Sequence, residues 1–81
     1  MTYEQYRRTL EEQSIRHHDM IRVDLYKEDG TIGSIEGIIN TKINPCELCL
    51  SVDINGIGVI DTDFVHGIQL EKIASIEVIK Q

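Results

Sequence analysis

Ile21-Arg22-Val23-Asp24-Leu25-Tyr26-Lys27-Glu28-Asp29-Gly30 alternates apolar and polar residues and then breaks, and a second apolar run follows from Ile32 to Ile43. Alternation at period two marks a half-buried strand, and Asp-Gly between two such runs marks a tight hairpin turn. Ile21, Val23 and Leu25 share one face of the first strand, with Arg22, Asp24 and Tyr26 on the other. In the second run the parity slips: Ile32 falls on one face, while Ile35, Gly37 and Ile39 fall on the opposite one. An odd offset of this kind predicts a β-bulge or sharp bend, which Gly33 and Gly37 permit. Small closed sheets need such bends, so the slip points to a small β-barrel.

Upstream, Thr2 and Gln5 fit a capping box, and Tyr3, Tyr6 and Leu10 recur at helical spacing, which predicts an amphipathic helix from about residue 3 to about residue 14. Its apolar stripe either covers one open end of the barrel or docks a partner, and such stripes usually face their own core. Downstream, the second strand ends at Ile43-Asn44-Pro45. A third is predicted from Cys46 to Ile54, where Cys46, Leu48, Leu50, Val52 and Ile54 alternate with Glu47, Cys49, Ser51 and Asp53. Asn55-Gly56 predicts a hairpin into a fourth strand begun by Ile57, Val59 and Ile60. Phe64 to Leu70 reads either as its continuation or as a separate edge piece. Leu70 to Ile73 suits one helical turn, and Ile73 to Ile79 a last strand with Ile76 and Val78 inward. Residues 1–81 thus read as a single, mainly β domain of about five antiparallel strands, spanning about residues 20–79, behind one N-terminal helix.

Composition narrows the function. The net charge is −6 and the pI about 4.8. Arg7, Arg8 and Arg16 nearly balance Glu4, Glu11, Glu12 and Asp19, so most of the excess negative charge falls after residue 20. Nucleic-acid affinity comes largely from cations neutralising phosphates, and no Lys/Arg run with interleaved aromatics occurs. Direct binding to nucleic acid or an anionic membrane is disfavoured; a protein with a basic surface is the easier partner. Met1-Thr2-Tyr3-Glu4 opens no secretion signal, and no apolar run approaches the roughly 20 residues of a membrane helix, so a cytoplasmic location with reduced thiols is expected.

Candidate chemistry is sparse. Cys46-Glu47-Leu48-Cys49 has the spacing of a redox pair or half a zinc site, and His66 with His17 or His18 would complete four ligands on paper. On a strand, however, a spacing of three sends the two thiols to opposite faces, with Cys46 expected buried and Cys49 exposed. His17-His18 lacks a partner at metal-ligand spacing, and Asp61 and Asp63 do not begin a calcium loop, since Lys72 stands where the closing Glu belongs. No nucleophile elbow or phosphate-binding glycine loop occurs, and a barrel this small fills its own interior. No enzyme, metal or cofactor is expected.

At Val23 through Gly30, Ile35-Glu36-Gly37-Ile38-Ile39, Ile43-Asn44-Pro45 and the closing Leu70-Glu71-Lys72-Ile73-Ala74-Ser75-Ile76, the chain resembles the YolD-like family. The resemblance implies an Sm-like or SH3-like barrel and a UmuD-like role as partner of a Y-family translesion DNA polymerase. The basic, Trp-containing N-terminal segment of that family has no counterpart here, and the spacing after Pro45 differs. His17-His18-Asp19-Met20-Ile21 through Asp29-Gly30 also resembles the Rof-type acidic inhibitors of the Rho termination factor. Sm-like RNA-binding rings are a further alternative, although Asn40 and Asn44 replace their Asp-x-x-x-Asn motif and no Arg follows Arg22.

The function expected is therefore a non-enzymatic protein-interaction or regulatory adaptor module. Its expected contact residues are a strand edge at Gly56, Ile57, Gly58 and Val59, an acidic face carrying Asp24 and Asp53, and the helix aromatics Tyr3 and Tyr6. Strand edges also offer a route to homo-oligomers.

Overall fold

The computed structural model describes residues 1–80; the expected domain runs on to Gln81, which lies outside the described residues. The chain forms α1 (Tyr3–Glu12), β1 (Met20–Tyr26), β2 (Ile32–Asn40), β3 (Glu47–Ser51), β4 (His66–Gln69), a 3₁₀ turn (Leu70–Lys72) and β5 (Ile73–Lys80). All strand pairings are antiparallel, in the order β4-β3-β2-β1-β5. The mainly β reading holds, but the closed barrel does not. The sheet is open, with β4 and β5 at its two edges and the 3₁₀ turn between them.

The capping box forms as its residue types require. The Gln5 N–H donates to Thr2 Oγ1 at 3.1 Å, and the Thr2 N–H donates to Gln5 Oε1 at 2.9 Å, satisfying two orphan donors of the first turn. The helix ends at Glu12 rather than about residue 14, because Ser14 turns left-handed at φ 53°. Hydrogen bonds from His18 N–H to the Ile39 carbonyl and from Ile39 N–H to the Asp19 carbonyl then tie the connector to β2.

β1 behaves as its alternation predicts. Ile21 and Val23 are fully buried; Ile21 stands opposite Gly37 and Val78, and Val23 opposite Ile35 and Ile76. These rows, with Ile39, Leu48, Leu50, Leu70 and Ile73, build one core that Tyr6 and Ile15 enter from the helix side. Ile76 is buried and Val78 packs against the core, as expected. At the β1–β2 turn Gly30 has φ 84°, a conformation that suits glycine.

The expected bulge in β2 is absent. β1 and β2 pair without interruption from Met20↔Ile38 to Tyr26↔Ile32, so the parity slip means only that Ile32 points outward, beside exposed Tyr26. The irregularities lie instead between β1 and β5, where Ala74 and Ile79 are the extra residues. Gly37 serves a different purpose: a Cβ there would lie 2.9 Å from Leu50 Cγ and still closer to the Ser51 carbonyl oxygen. Its lack of a side chain lets β3 approach β2.

Two strands are shorter than predicted. β2 stops at Asn40, where Asn40 Oδ1 accepts from the Lys42 N–H and His17 Nδ1 from the Thr41 N–H. β3 spans only Glu47–Ser51, leaving Val52 and Ile54 outside the sheet. The predicted fourth strand at Ile57 to Ile60 does not form, and the strand that pairs with β3 is His66–Gln69.

Candidate functional site

Residues 52–65 connect β3 to β4 without regular structure, and two aspartates organise them. The Asp53 carboxylate accepts from the Ile57 N–H at 3.1 Å and from the Gly58 N–H at 2.7 Å. Asp61 Oδ1 accepts from the Asp63 N–H at 2.9 Å, and the Asp61 carbonyl from the Phe64 N–H at 3.2 Å. Carboxylates bonded to nearby backbone offer the chain an alternative to strand pairing, which is why this apolar stretch folds as successive turns. Gly56 and Gly58 supply positive φ of 66° and 82° inside the first of them.

These turns leave Ile54, Ile57, Val59 and Phe64 exposed, each more than 60% accessible. Val52, Ile54, Asn55, Val59, Asp61 and Phe64 frame a groove of about 240 Å³. Gly56, Ile57, Gly58 and Val59 are therefore surface residues, as expected, but on a loop. The strand edge proposed for them does not exist. Ile54 and Phe64 escaped the sequence reading, because Ile54 continued an alternating strand pattern and Phe64 sat in a segment with no clear period.

The expected acidic face of β1 and β3 does not form. Asp53 lies beyond β3 and is committed to the loop. Asp24 accepts from Ser34 Oγ at 2.5 Å and from Ser75 Oγ at 2.8 Å, bridging β2, β1 and β5, and these bonds hold its carboxyl below the ordinary value of 3.8. Arg22 and Glu77 form an ion pair on the same strands. With Asp24 held ionised and Glu36 exposed opposite Arg22, this outer face keeps an excess of negative charge, but across β1, β2 and β5 rather than β1 and β3.

The helix aromatics separate. Tyr6 is 4% exposed and is a core residue; burial pushes its phenol up to about 12, with the nearby Cys49 and Tyr3 adding to the shift. Tyr3 is exposed, with the Arg7 guanidinium 6.0 Å from its ring centroid. Both line a shallow groove of about 150 Å³ between α1 and the 41–45 turn.

The cysteine expectation is reversed. Cys46 is exposed and Cys49 is 3% exposed. Cys46 sits in the turn before β3, its N–H bonded to Asn44 Oδ1 at 2.9 Å. Cys49 does lie on the face opposite Leu48 and Leu50, but that face is covered. Burial pushes its thiol up, and the Asn44 backbone amide only partly offsets this. A thiol shifted this way is a weak nucleophile. Among the described residues, no three His, Cys, Asp or Glu side chains converge, so the paper set of Cys46, Cys49, His66 and His17 or His18 is not brought together. His17 and His18 stack at 3.9 Å, and His17 Nδ1 is taken up by Thr41; burial and then His18 and Lys42 lower its pKa.

The two sheet edges differ. The Val78 N–H donates to Gln13 Oε1 at 2.7 Å and Gln13 Nε2 donates to the Ile76 carbonyl at 2.6 Å. The Gln13 amide therefore occupies the outer edge of β5 as a neighbouring strand would. Among the described residues, β4 pairs only with β3. Among the described residues, no helix is long and apolar enough to cross a membrane.

No protein-family model, no curated protein and no solved structure matches this chain.

Proposed function

We propose that this chain is a non-enzymatic protein-interaction module whose contact surface is the 52–65 loop. One observation carries the reading: of the exposed large apolar side chains, four (Ile54, Ile57, Val59 and Phe64) cluster on one hydrogen-bonded loop, whereas Ile32, Ile43 and Ile79 are scattered over other parts of the chain. Concentrated apolar exposure on a small domain marks a site of association. The partner we infer is a protein with a basic surface, in keeping with the net charge of −6. A YolD-like role beside a translesion polymerase remains part of this proposal. It rests on the residues quoted above.

The test is a photoreactive residue introduced at Ile57 in the living cell, with the same residue at Glu36 on the outer sheet face as control. A discrete cross-linked protein at position 57 and not at 36 is the expected result; equal yields at both positions refute the assignment. An Sm-like RNA-binding ring predicts salt-sensitive retention on a nucleic-acid column, whereas the adaptor reading predicts flow-through at low salt. Ring closure through paired edges would also require displacing Gln13 from β5.

A further inference from the structure

We propose that the groove framed by Val52, Ile54, Val59 and Phe64 receives one large apolar side chain from a Lys/Arg-bearing segment of the partner, whose cations meet Asp61 and Asp63. This rests on the interaction-module reading and specifies its ligand. Size comes first. At about 240 Å³ the groove lies below the roughly 300–1,000 Å³ of small-molecule sites, so it suits a single anchoring side chain. Buried anchors of that kind carry most of the energy of protein interfaces.

Rigidity comes second. The four hydrogen bonds centred on Asp53 and Asp61 hold the walls in place before any partner arrives. A preformed groove avoids much of the ordering cost that weakens binding by loops.

Charge comes third. No Lys or Arg occurs between Lys42 and Lys72, whereas Glu47, Asp53, Asp61, Asp63 and Glu71 all do. Asp61 lines the groove and Asp63 is exposed beside it. A negative rim around an apolar floor draws cationic segments and repels anionic lipid or nucleic acid. It also repels the identical rim of a second copy, and the occupant proposed is a segment of a different protein.

The experiment is an unbiased selection of displayed random peptides on the intact chain. Enriched peptides are expected to carry a large apolar residue flanked by Lys or Arg. Phe64→Ser should weaken a selected synthetic peptide by about 10–100-fold, the loss of one hot-spot contact. Val59→Ser should act in the same direction. Asp61→Asn with Asp63→Asn keeps the turn acceptor and removes the charge; it should weaken binding at low salt by about 3–10-fold and make little difference at about 1 M salt. All substituted side chains line or border an exposed loop, and unchanged urea midpoints verify the fold. No enrichment, acidic or uncharged winners, or peptides that bind the Phe64→Ser and Val59→Ser chains undiminished would each overturn the proposal. A discrete cross-link at position 57 alongside any of those results sinks this ligand class and leaves the interaction-module reading standing; loss of the cross-link sinks both.

Discussion

Replacing Gly37 by Ala tests the packing of the sheet directly. The added methyl would stand 2.9 Å from Leu50 Cγ, 3.1 Å from Val52 Cγ1 and closer still to the Ser51 carbonyl oxygen. Leu50 is fully buried and the carbonyl belongs to the strand paired with β2, so neither can step aside cheaply. Overpacking of this sort costs about 1–3 kcal/mol, and a backbone obstacle favours the upper half of that range. Ala recovers about 0.4–1 kcal/mol by restricting the unfolded chain. The net loss is about 1–2.5 kcal/mol, set against a total stability of about 4–12 kcal/mol for a chain of this length. Urea denaturation should show a lower midpoint at unchanged m, and the melting temperature should fall by about 5–20 °C. Gly67→Ala is the control. Its methyl meets only the carboxylate end of Glu47 at 2.9 Å, the tip of a flexible side chain held by one hydrogen bond from Asn44 Nδ2. The loss should not exceed that bond's contribution of about 0.5–1.5 kcal/mol, and it is offset by the gain of about 0.4–1 kcal/mol from restricting the unfolded chain. Equal midpoints for Gly37→Ala and the parent, or equal losses at both glycines, would refute the close-approach argument.

Three further outcomes are expected. Thiol labelling at neutral pH, read residue by residue by mass spectrometry, should modify Cys46 quickly and Cys49 only as fast as the fold opens; comparable rates would contradict the burial reversal. The raised phenol of Tyr6 means that the folded state keeps a proton which the unfolded state releases near pH 10, so stability is complete below pH 10 and declines as pH rises towards 12; Tyr6→Phe should flatten that alkaline limb, and an unchanged limb would count against it. Gln13→Leu removes two hydrogen bonds to the edge of β5, each contributing about 0.5–1.5 kcal/mol, and should speed hydrogen exchange at the Val78 amide, whereas unaltered protection there would show that the edge is held by something else.

The parts of the fold legible in the sequence are those decided locally. Thr2 and Gln5 announce the helix start, the alternation of Ile21, Val23 and Leu25 announces β1, and Asp29-Gly30 announces the turn. The parts that differ from the sequence pattern are those decided by competition between local and distant bonds. Val52 and Ile54 prolong the β3 pattern in the sequence, yet Asp53 between them bonds to Ile57 and Gly58 and pulls the chain out of the sheet. Asn55-Gly56 does make a turn with Gly56 at positive φ, but no strand follows because the partner of β3 comes only at His66. Ile32 shows that one exposed aliphatic can mimic a bulge. Cys49 shows that alternation identifies a face without telling what covers it. The candidate site is half legible in the sequence: Ile57 and Val59 stand out beside Gly56 and Gly58, whereas Ile54 and Phe64 join them only once the turns are folded.

The aspartates of the 52–65 loop also matter before the chain has folded. Stretched out, Val52 to Ile68 is a row of branched and aromatic residues of the kind that stacks into cross-β aggregates, and Asp53, Asp61 and Asp63 are the charges that interrupt it. Charges placed within such a segment are expected to oppose its stacking before the loop closes, which ties the same three carboxylates to both the folded turns and the solubility of the unfolded stretch.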